Sequence, residues 1–386
     1  MKSLLSAKGA AFGLCAVLCS SPFSQQVWAD DAKLMTELAD LKARIEFLEK
    51  QLSAQSAAQP HSANREEKWT DRIGFSGLVE VEAASVDGVE ENSSDITLAK
   101  VEIGLDAQVN EWVSASLLLL FEEDKTDPIA FDEAFIRIGN AEQSPFFLTA
   151  GLIHLPFGRF ESHMVSDPIT LEMGEFIETA LQLGFEAGGW RSSLVLFNGD
   201  TKEQGDDKID QFGLDIGYYW QAADADVEFD AALYYVNNIA DSDGLQEAIA
   251  DAENLTDQVS GVGGHLVLSV GAFTFIGEYL TATEQFDTAD LAFNGVGAEP
   301  VSWNLEAAYH FTLNDWDATI VLAWQGTDEA LALELPEQRL MLGISLGIMQ
   351  NTSLNIEWAN DDDYDVADGG TGKSSDSITA QLAVEF

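Results

Sequence analysis

KVEIGLDAQVN, residues 100–110, places Val101, Ile103, Leu105, Ala107 and Val109 at every second position. Lys100, Glu102, Gly104, Asp106, Gln108 and Asn110 fill the positions between them. A strand turns successive side chains to opposite faces, so this stretch has one apolar face and one charged face. Coiled as a helix, the same residues would spread both kinds around the whole circumference. The stretch therefore reads as a β-strand standing between an oily phase and water.

The pattern returns along the chain. Val301, Trp303, Leu305, Ala307, Tyr309 and Phe311 alternate with Ser302, Asn304, Glu306, Ala308 and His310. Leu340, Leu342, Ile344, Leu346 and Ile348 repeat it. About sixteen such segments follow residue 72, most of them close to the ~9–11 residues that a tilted strand needs to cross a bilayer. Short connections fall near Glu111, Asn140, Gly188, Ala223, Gly271, Asn314 and Gln350. Long ones span 238–258, 283–300 and 359–375. Short turns at one end and long loops at the other predict an all-β fold, a transmembrane antiparallel β-barrel over residues 69–386. Trp112, Trp190, Trp220, Phe273, Phe311 and Trp316 sit beside the short turns, where an interfacial aromatic girdle belongs. The alternation runs into a terminal Phe386 and resembles the assembly signal of bacterial outer-membrane barrels.

The first residues read differently. Lys2 and Lys8, the apolar run from Gly9 to Cys19, and small residues before Asp30 predict a signal peptide over 1–29. Cys15 and Cys19 are the two cysteines and both lie within it, so the mature chain is expected to hold neither disulfides nor thiolate chemistry. Leu34, Leu38, Leu41, Ile45, Leu48 and Leu52 keep a 4-3-4-3-4 spacing, the seam of a short coiled coil over 30–53. A polar linker, 54–68, follows; Pro60 ends any helix there and His61 is expected to be solvated.

Charge narrows the function classes. With 67 acidic and 18 basic residues, the net charge of −49 is incompatible with nucleic-acid binding through neutralised phosphates. The chain has no HExxH, P-loop or Gly-x-Ser-x-Gly motif, so neither an enzyme nor a cofactor is expected. His265 and His310 read as isolated side chains on polar strand faces. Asp361-Asp362-Asp363-Tyr364-Asp365 begins like a calcium loop, but Val366 stands at the turn glycine and Gly372 at the bidentate acid. Lys100, Glu102, Asp106, Glu133, Arg137 and Arg339 are expected to line the lumen, whose acidic excess biases a pore towards cations.

The fifth strand rises to HLPFGRFESHM, residues 154–164, and opens the third long loop, which runs to about Glu178. In sixteen-stranded porin architecture this loop folds inward. Arg159, Glu161, His163, Asp167 and Glu172 are accordingly the candidate constriction and solute contacts. Arg159 is expected to face Glu161, Asp167, Glu172, Glu175 and Glu178.

Phe147 to Gly158, FLTAGLIHLPFG, resembles the strand end of carbohydrate- and phosphate-type porins. The run from Glu161 to Glu175, the FDEAF strand at 131–135 and the N-terminal coiled coil together resemble the LbtU-type siderophore porin family. The resemblance is specific over 131–175 and architectural over the rest of 30–386. It implies an outer-membrane barrel without a plug domain, associated with ferric-siderophore uptake, and it transfers no ligand residue. The expected function is passage of small hydrophilic solutes of that type. The alternatives are a general cation-preferring porin and a coiled-coil envelope tether anchored by a barrel. Outer-membrane lipid and other copies of the chain, a trimer among the options, are the expected partners, with the coiled coil in the periplasm.

Overall fold

The computed structural model describes residues 72–386 except 90, 91, 124, 125, 127, 128, 206, 207, 223 and 224. The signal peptide, coiled coil and linker expected over 1–68 lie outside the described residues. The strands are β1 (Ile73–Asp87), β2 (Asn92–Gln108), β3 (Val113–Phe121), β4 (Ala130–Gly139), β5 (Phe146–His154) and β6 (Ile177–Ala187). They continue with β7 (Trp190–Phe197), β8 (Gln211–Gln221), β9 (Val227–Val236), β10 (Gly261–Val270) and β11 (Phe273–Ala282). A two-residue hairpin, β12 (Ala292–Phe293) and β13 (Val296–Gly297), precedes β14 (Val301–Leu313), β15 (Trp316–Asp328), β16 (Gln338–Met349), β17 (Thr352–Asp362) and β18 (Ser374–Glu385).

All but the hairpin form one closed antiparallel barrel of sixteen strands, as the alternation predicts. An open sheet of this size would leave two rows of unpaired amides; closure removes both. The seam is β1 against β18, with Leu78 opposite Glu385, and it is extended by the last residue: Phe386 N donates to Gly77 O at 2.9 Å and Gly77 N donates to Phe386 O at 2.8 Å.

The two faces of each strand are those read from sequence. On β14, Leu305 is 51% exposed on the outer wall, whereas Asn304 next to it is fully buried inside. Leu322 and Trp324 of β15 and Leu340 and Leu342 of β16 continue the outer apolar band. Trp112, Trp190, Trp220, Phe273 and Trp316 are all exposed beside the short turns.

Connections L1 to L8, most of them long, share the opposite end. The ones that matter here are L3 (155–176), L4 (198–210), L5 (237–260) and L6 (283–300). Within L3, helix α1 (Ile169–Gly174) is a short coil of the strap; L5 carries α2 (Asp243–Ala248). Neither helix was legible in the alternation, because six residues are too few for a helical period to appear.

The lumen is not lined by polar strand faces alone. Phe157, Met173 and Phe176 of L3, Ile239, Leu245 and Leu255 of L5, and Phe286 and Leu291 of L6 form one apolar core inside the barrel. It packs on Val195, Phe197, Val236 and Leu280, which occupy inward positions of β7, β9 and β11. Loops thus fill the lumen beside these strands, while the space beside β1 and β2 stays open. Burying side chains of this size is worth about 1.5–3 kcal/mol each, enough to hold irregular loops in place.

Candidate functional site: a lumen crossed by L3

L3 begins where β5 ends. Pro156 supplies no amide hydrogen for a ladder, and Gly158 takes φ +102, a conformation that favours glycine. A Cβ on Gly158 would also lie 2.1 Å from the ring of Phe160. These residues turn the chain from the wall into the lumen. His154, the last residue of β5, holds the base of the turn: Nε2 is 3.1 Å from Asp132 of β4 and Nδ1 is 3.4 Å from Glu175 at the far end of L3.

Three glutamates on the inner wall then receive the strap. Glu278 of β11 accepts Arg159 N at 2.7 Å and Thr170 Oγ1 at 2.7 Å. Glu306 of β14 accepts His163 N at 2.9 Å and Ser162 Oγ at 2.7 Å, and His163 Nδ1 lies 2.7 Å from it. Glu357 of β17 accepts Val165 N at 2.7 Å, Ser166 N at 3.1 Å and Ser166 Oγ at 2.6 Å. Gln325 of β15 adds Ile169 N at 3.1 Å. Glu278, Glu306, Gln325 and Glu357 are all buried. A buried carboxylate is costly unless its oxygens are bonded; here loop amides and hydroxyls satisfy them. Met164 between these anchors packs on Ala323, Met341 and Ala359.

The strap has two sides of unlike chemistry. Towards β1 and β2 lies a cavity of about 530 Å³ lined by Glu80, Glu82, Glu122, Glu123, Asp167 and Glu172, with Lys100 and Arg339 as its cations. Both cations have carboxylate neighbours: Arg339 holds Asp361 through two bonds of 2.7 and 2.8 Å, and Lys100 is 3.8 Å from Glu102. Towards β7 and β9 lies a second cavity of about 400 Å³. There Arg159 contacts Glu161 at 2.6 Å and Asp230 at 3.3 Å, and Arg191 contacts Asp230 at 2.6 Å. His265 approaches Asp230 at 3.3 Å and bonds the Tyr234 hydroxyl through its other nitrogen. Arg137 lies 3.1 Å from Glu186 and 3.7 Å above the Phe147 ring. A larger concavity of about 950 Å³ lies against the strand wall, at Trp190, Leu233, Leu266, Tyr279 and Leu305 among others, all exposed on the outer face, and not beside the strap.

The sequence candidates are therefore divided rather than gathered. Arg159 meets Glu161 as expected, but its second carboxylate is Asp230. Asp167 and Glu172 line the opposite cavity, Glu175 is held by His154, and Glu178 has Asp200, Asp241 and Asp243 as its charged neighbours. The strap crosses the lumen between Arg159 and Asp167, which is why one loop serves two cavities. His163 is an anchor to Glu306, its ring 5.3 Å from that of His310. Neither wall histidine is isolated: His265 has Asp230 and Tyr234, and His310 lies 3.1 and 3.0 Å from the hydroxyls of Thr274 and Thr319. Among the wall positions, Asp106 accepts Ser116 Oγ at 2.6 Å, and Glu133 pairs across from Leu118 in the register. Asp361 belongs to β17 and not to a loop, while Asp363 accepts Thr371 N and Oγ1 at 2.6 Å.

Glu306 was legible as a carboxylate on the polar face of its strand; nothing local marks it, Glu278 or Glu357 as an acceptor for a loop over a hundred residues away in sequence. At the outer side of the intralumenal core, burial pushes Asp241 up to about 6. Burial, and Glu175 after it, push Asp243 up to about 7.

No family model matches the chain. It is 29% identical over 337 residues to a UPF0422 protein of Coxiella burnetii, covering 82% of this chain and 72% of that one. It is 28% identical over 330 residues to UPF0422 proteins of Legionella pneumophila, covering 76% of this chain and 62% of theirs. Among solved structures the barrel resembles OprB of Pseudomonas putida, with TM-score 0.57 and 9% identity over 84% of this chain and 96% of that one. It also resembles the anion-selective porin of Comamonas acidovorans (TM-score 0.56, 12% identity, 81% and 99% covered). The channel DcaP of Acinetobacter baumannii gives a TM-score of 0.55 at 13% identity, with 81% and 97% covered. At such identities the likeness is one of fold: a porin-like, sixteen-stranded barrel.

Proposed function

We propose that this barrel is a bacterial outer-membrane channel for small hydrophilic solutes, narrowed by L3 and biased towards cations. The carrying observation is the strap itself, tied to Glu278, Glu306 and Glu357 and leaving beside it a cavity with six acidic and two basic side chains. Carboxylates around a narrow, partly dehydrated path lower the energy of a passing cation and raise that of an anion. The outer apolar band and aromatic girdle support residence in lipid.

In planar bilayers the purified protein is expected to form discrete channels whose reversal potential in a salt gradient favours cations. Absence of conductance, or anion preference, overturns the reading. Arg159→Ala removes the cation between Glu161 and Asp230. It is expected to raise the cation-to-anion permeability ratio roughly twofold, the scale of one partly screened charge. An unchanged reversal potential would argue that Arg159 is remote from the ion path.

The finer reading is passage of a ferric siderophore, and it rests on the resemblance over residues 131–175. The acidic cavity restricts it to neutral or cationic ferric chelates, since an anionic one would meet the same repulsion as chloride. Growth of a deletion strain on defined ferric siderophores separates this from a general cation-preferring porin, for which uptake stays unchanged.

A further inference from the structure

Between its anchors on Glu357 and the apolar core, L3 rests on a part of the wall that does not match it. Ser302 and Asn304 of β14 and Gln325 of β15 occupy inward positions and are fully buried. In the register Asn304 stands between Glu278 and Gln325, and Ser302 between Leu280 and Thr327. The first turn of α1 bridges the same strands: Ile169 N donates to Gln325 Oε1 and Thr170 Oγ1 donates to Glu278 Oε2. That turn therefore roofs Asn304. Under it, both polar side-chain atoms of Asn304, Ser302 Oγ and Gln325 Nε2 have no hydrogen-bond partner among the described residues. Ile169, itself only 2% exposed, belongs to neither apolar cluster.

Where loops cover β7 and β9, the wall beneath them is apolar, at Val195, Phe197 and Val236. Amides and hydroxyls instead suit a wall that meets water. Four buried polar atoms without partners weigh against the seated turn, and they are relieved once water reaches them. The turn itself is lightly held. Ser166 before it is fastened to Glu357, and Glu172 after it packs its carbonyl against Gly244 of α2. Residues 167–171 between them are tied to the wall by the two bonds to Gln325 and Glu278. A helix of six residues adds little stability of its own. It also has room to move, because Asp167 and Glu172 border the acidic cavity of about 530 Å³. We propose that the first turn of α1 is a lid. Residues 167–171 lift off Ser302, Asn304 and Gln325 towards that cavity, with Ser166 and Glu172 as fixed ends. The lumen then has a seated state and a lifted state, and the lifted one presents a neutral wall of amides and a hydroxyl. Only the effect of this motion on conductance rests on the channel reading.

The test is hydrogen exchange of the detergent-purified full chain, read in peptides covering residues 166–172. Asn304→Leu keeps the side chain's size and removes both unpaired atoms, so it favours the seated state. It is expected to slow exchange at 167–171 by at least about tenfold, the scale of one relieved buried polar group. Ser302→Ala is expected to slow it by about threefold, and this milder change reads the lid even if Asn304→Leu does not assemble. Exchange around Phe157 and along β14 should stay as in the parent, which separates a lid from general stiffening of the barrel. Single-channel records of Asn304→Leu should show the lifted level at least about tenfold less often. Slowed exchange in a chain that forms no channels would support the lid and count against the channel reading. Exchange at 167–171 that is equal in the parent and both variants, or faster in Asn304→Leu, would overturn the lid.

Discussion

A channel in which Glu278, Glu306 and Glu357 are all alanine is expected to conduct at least about twofold more than the parent, with a weaker cation preference. The three side chains accept L3 amides at residues 159, 163, 165 and 166 and hydroxyls of Ser162, Ser166 and Thr170. Hydrogen bonds to charged groups contribute about 1.5–3 kcal/mol each, so losing this set exceeds what residues 159–166 can regain from contact with water. Phe157, Met173 and Phe176 stay in the apolar core, so the loop keeps both ends and only its middle lets go. The freed middle carries Arg159, and trypsin should then cut after it in the variant while sparing the parent. Single-channel recording reads the first effect and peptide mapping the second. The Glu→Gln versions keep an acceptor oxygen but turn an NH₂ group towards other donors, so intermediate values are expected. Unchanged conductance with unchanged trypsin resistance would mean that the core alone holds the strap.

That prediction depends on contacts no stretch of sequence displays. The barrel itself was legible because its signal is local: Val101 to Val109 and Val301 to Phe311 each declare an outer face within one strand. Turn and loop lengths then fix strand direction, which places 154–164 at the mouth of the third long loop. What fills the lumen is not local. Inward positions such as Val195, Phe197 and Leu280 are apolar where loops cover them, whereas Glu80, Glu82 and Lys100 are charged where the lumen stays open. In β7, Leu194, Val195, Leu196 and Phe197 run without alternation, as do Leu233 to Val236 of β9, and such lapses are the local trace of the covering loops. The division of L3 into two sides was equally hidden. Asp167 and Arg159 are eight positions apart, and only the path of the strap across the lumen decides that they serve opposite cavities.

Gly244→Val is expected to disturb that path from a distance. A Cβ on Gly244 would lie 1.9 Å from the carbonyl oxygen of Glu172 and 2.9 Å from its carbon. Both are backbone atoms of α1, so no side-chain rotation relieves the clash, and α1 and α2 must separate. Overpacking of this kind costs about 1–3 kcal/mol. The cost falls on the loop layer, since Leu245 and Ile249 must shift in the core while the barrel ladder is untouched. Glu172 lines the acidic cavity, so its displacement should also alter conductance. The variant is expected to assemble with normal heat-modifiable mobility, to lose hydrogen-exchange protection in L5 and around residues 169–176, and to give noisier channels. Gly277→Ala is the control: its Cβ would meet only Leu305 Cδ2, at an ordinary 3.5 Å, and no loop should respond. If Gly244→Val left exchange and conductance as in Gly277→Ala, the two helices would not be packed as closely as this contact requires.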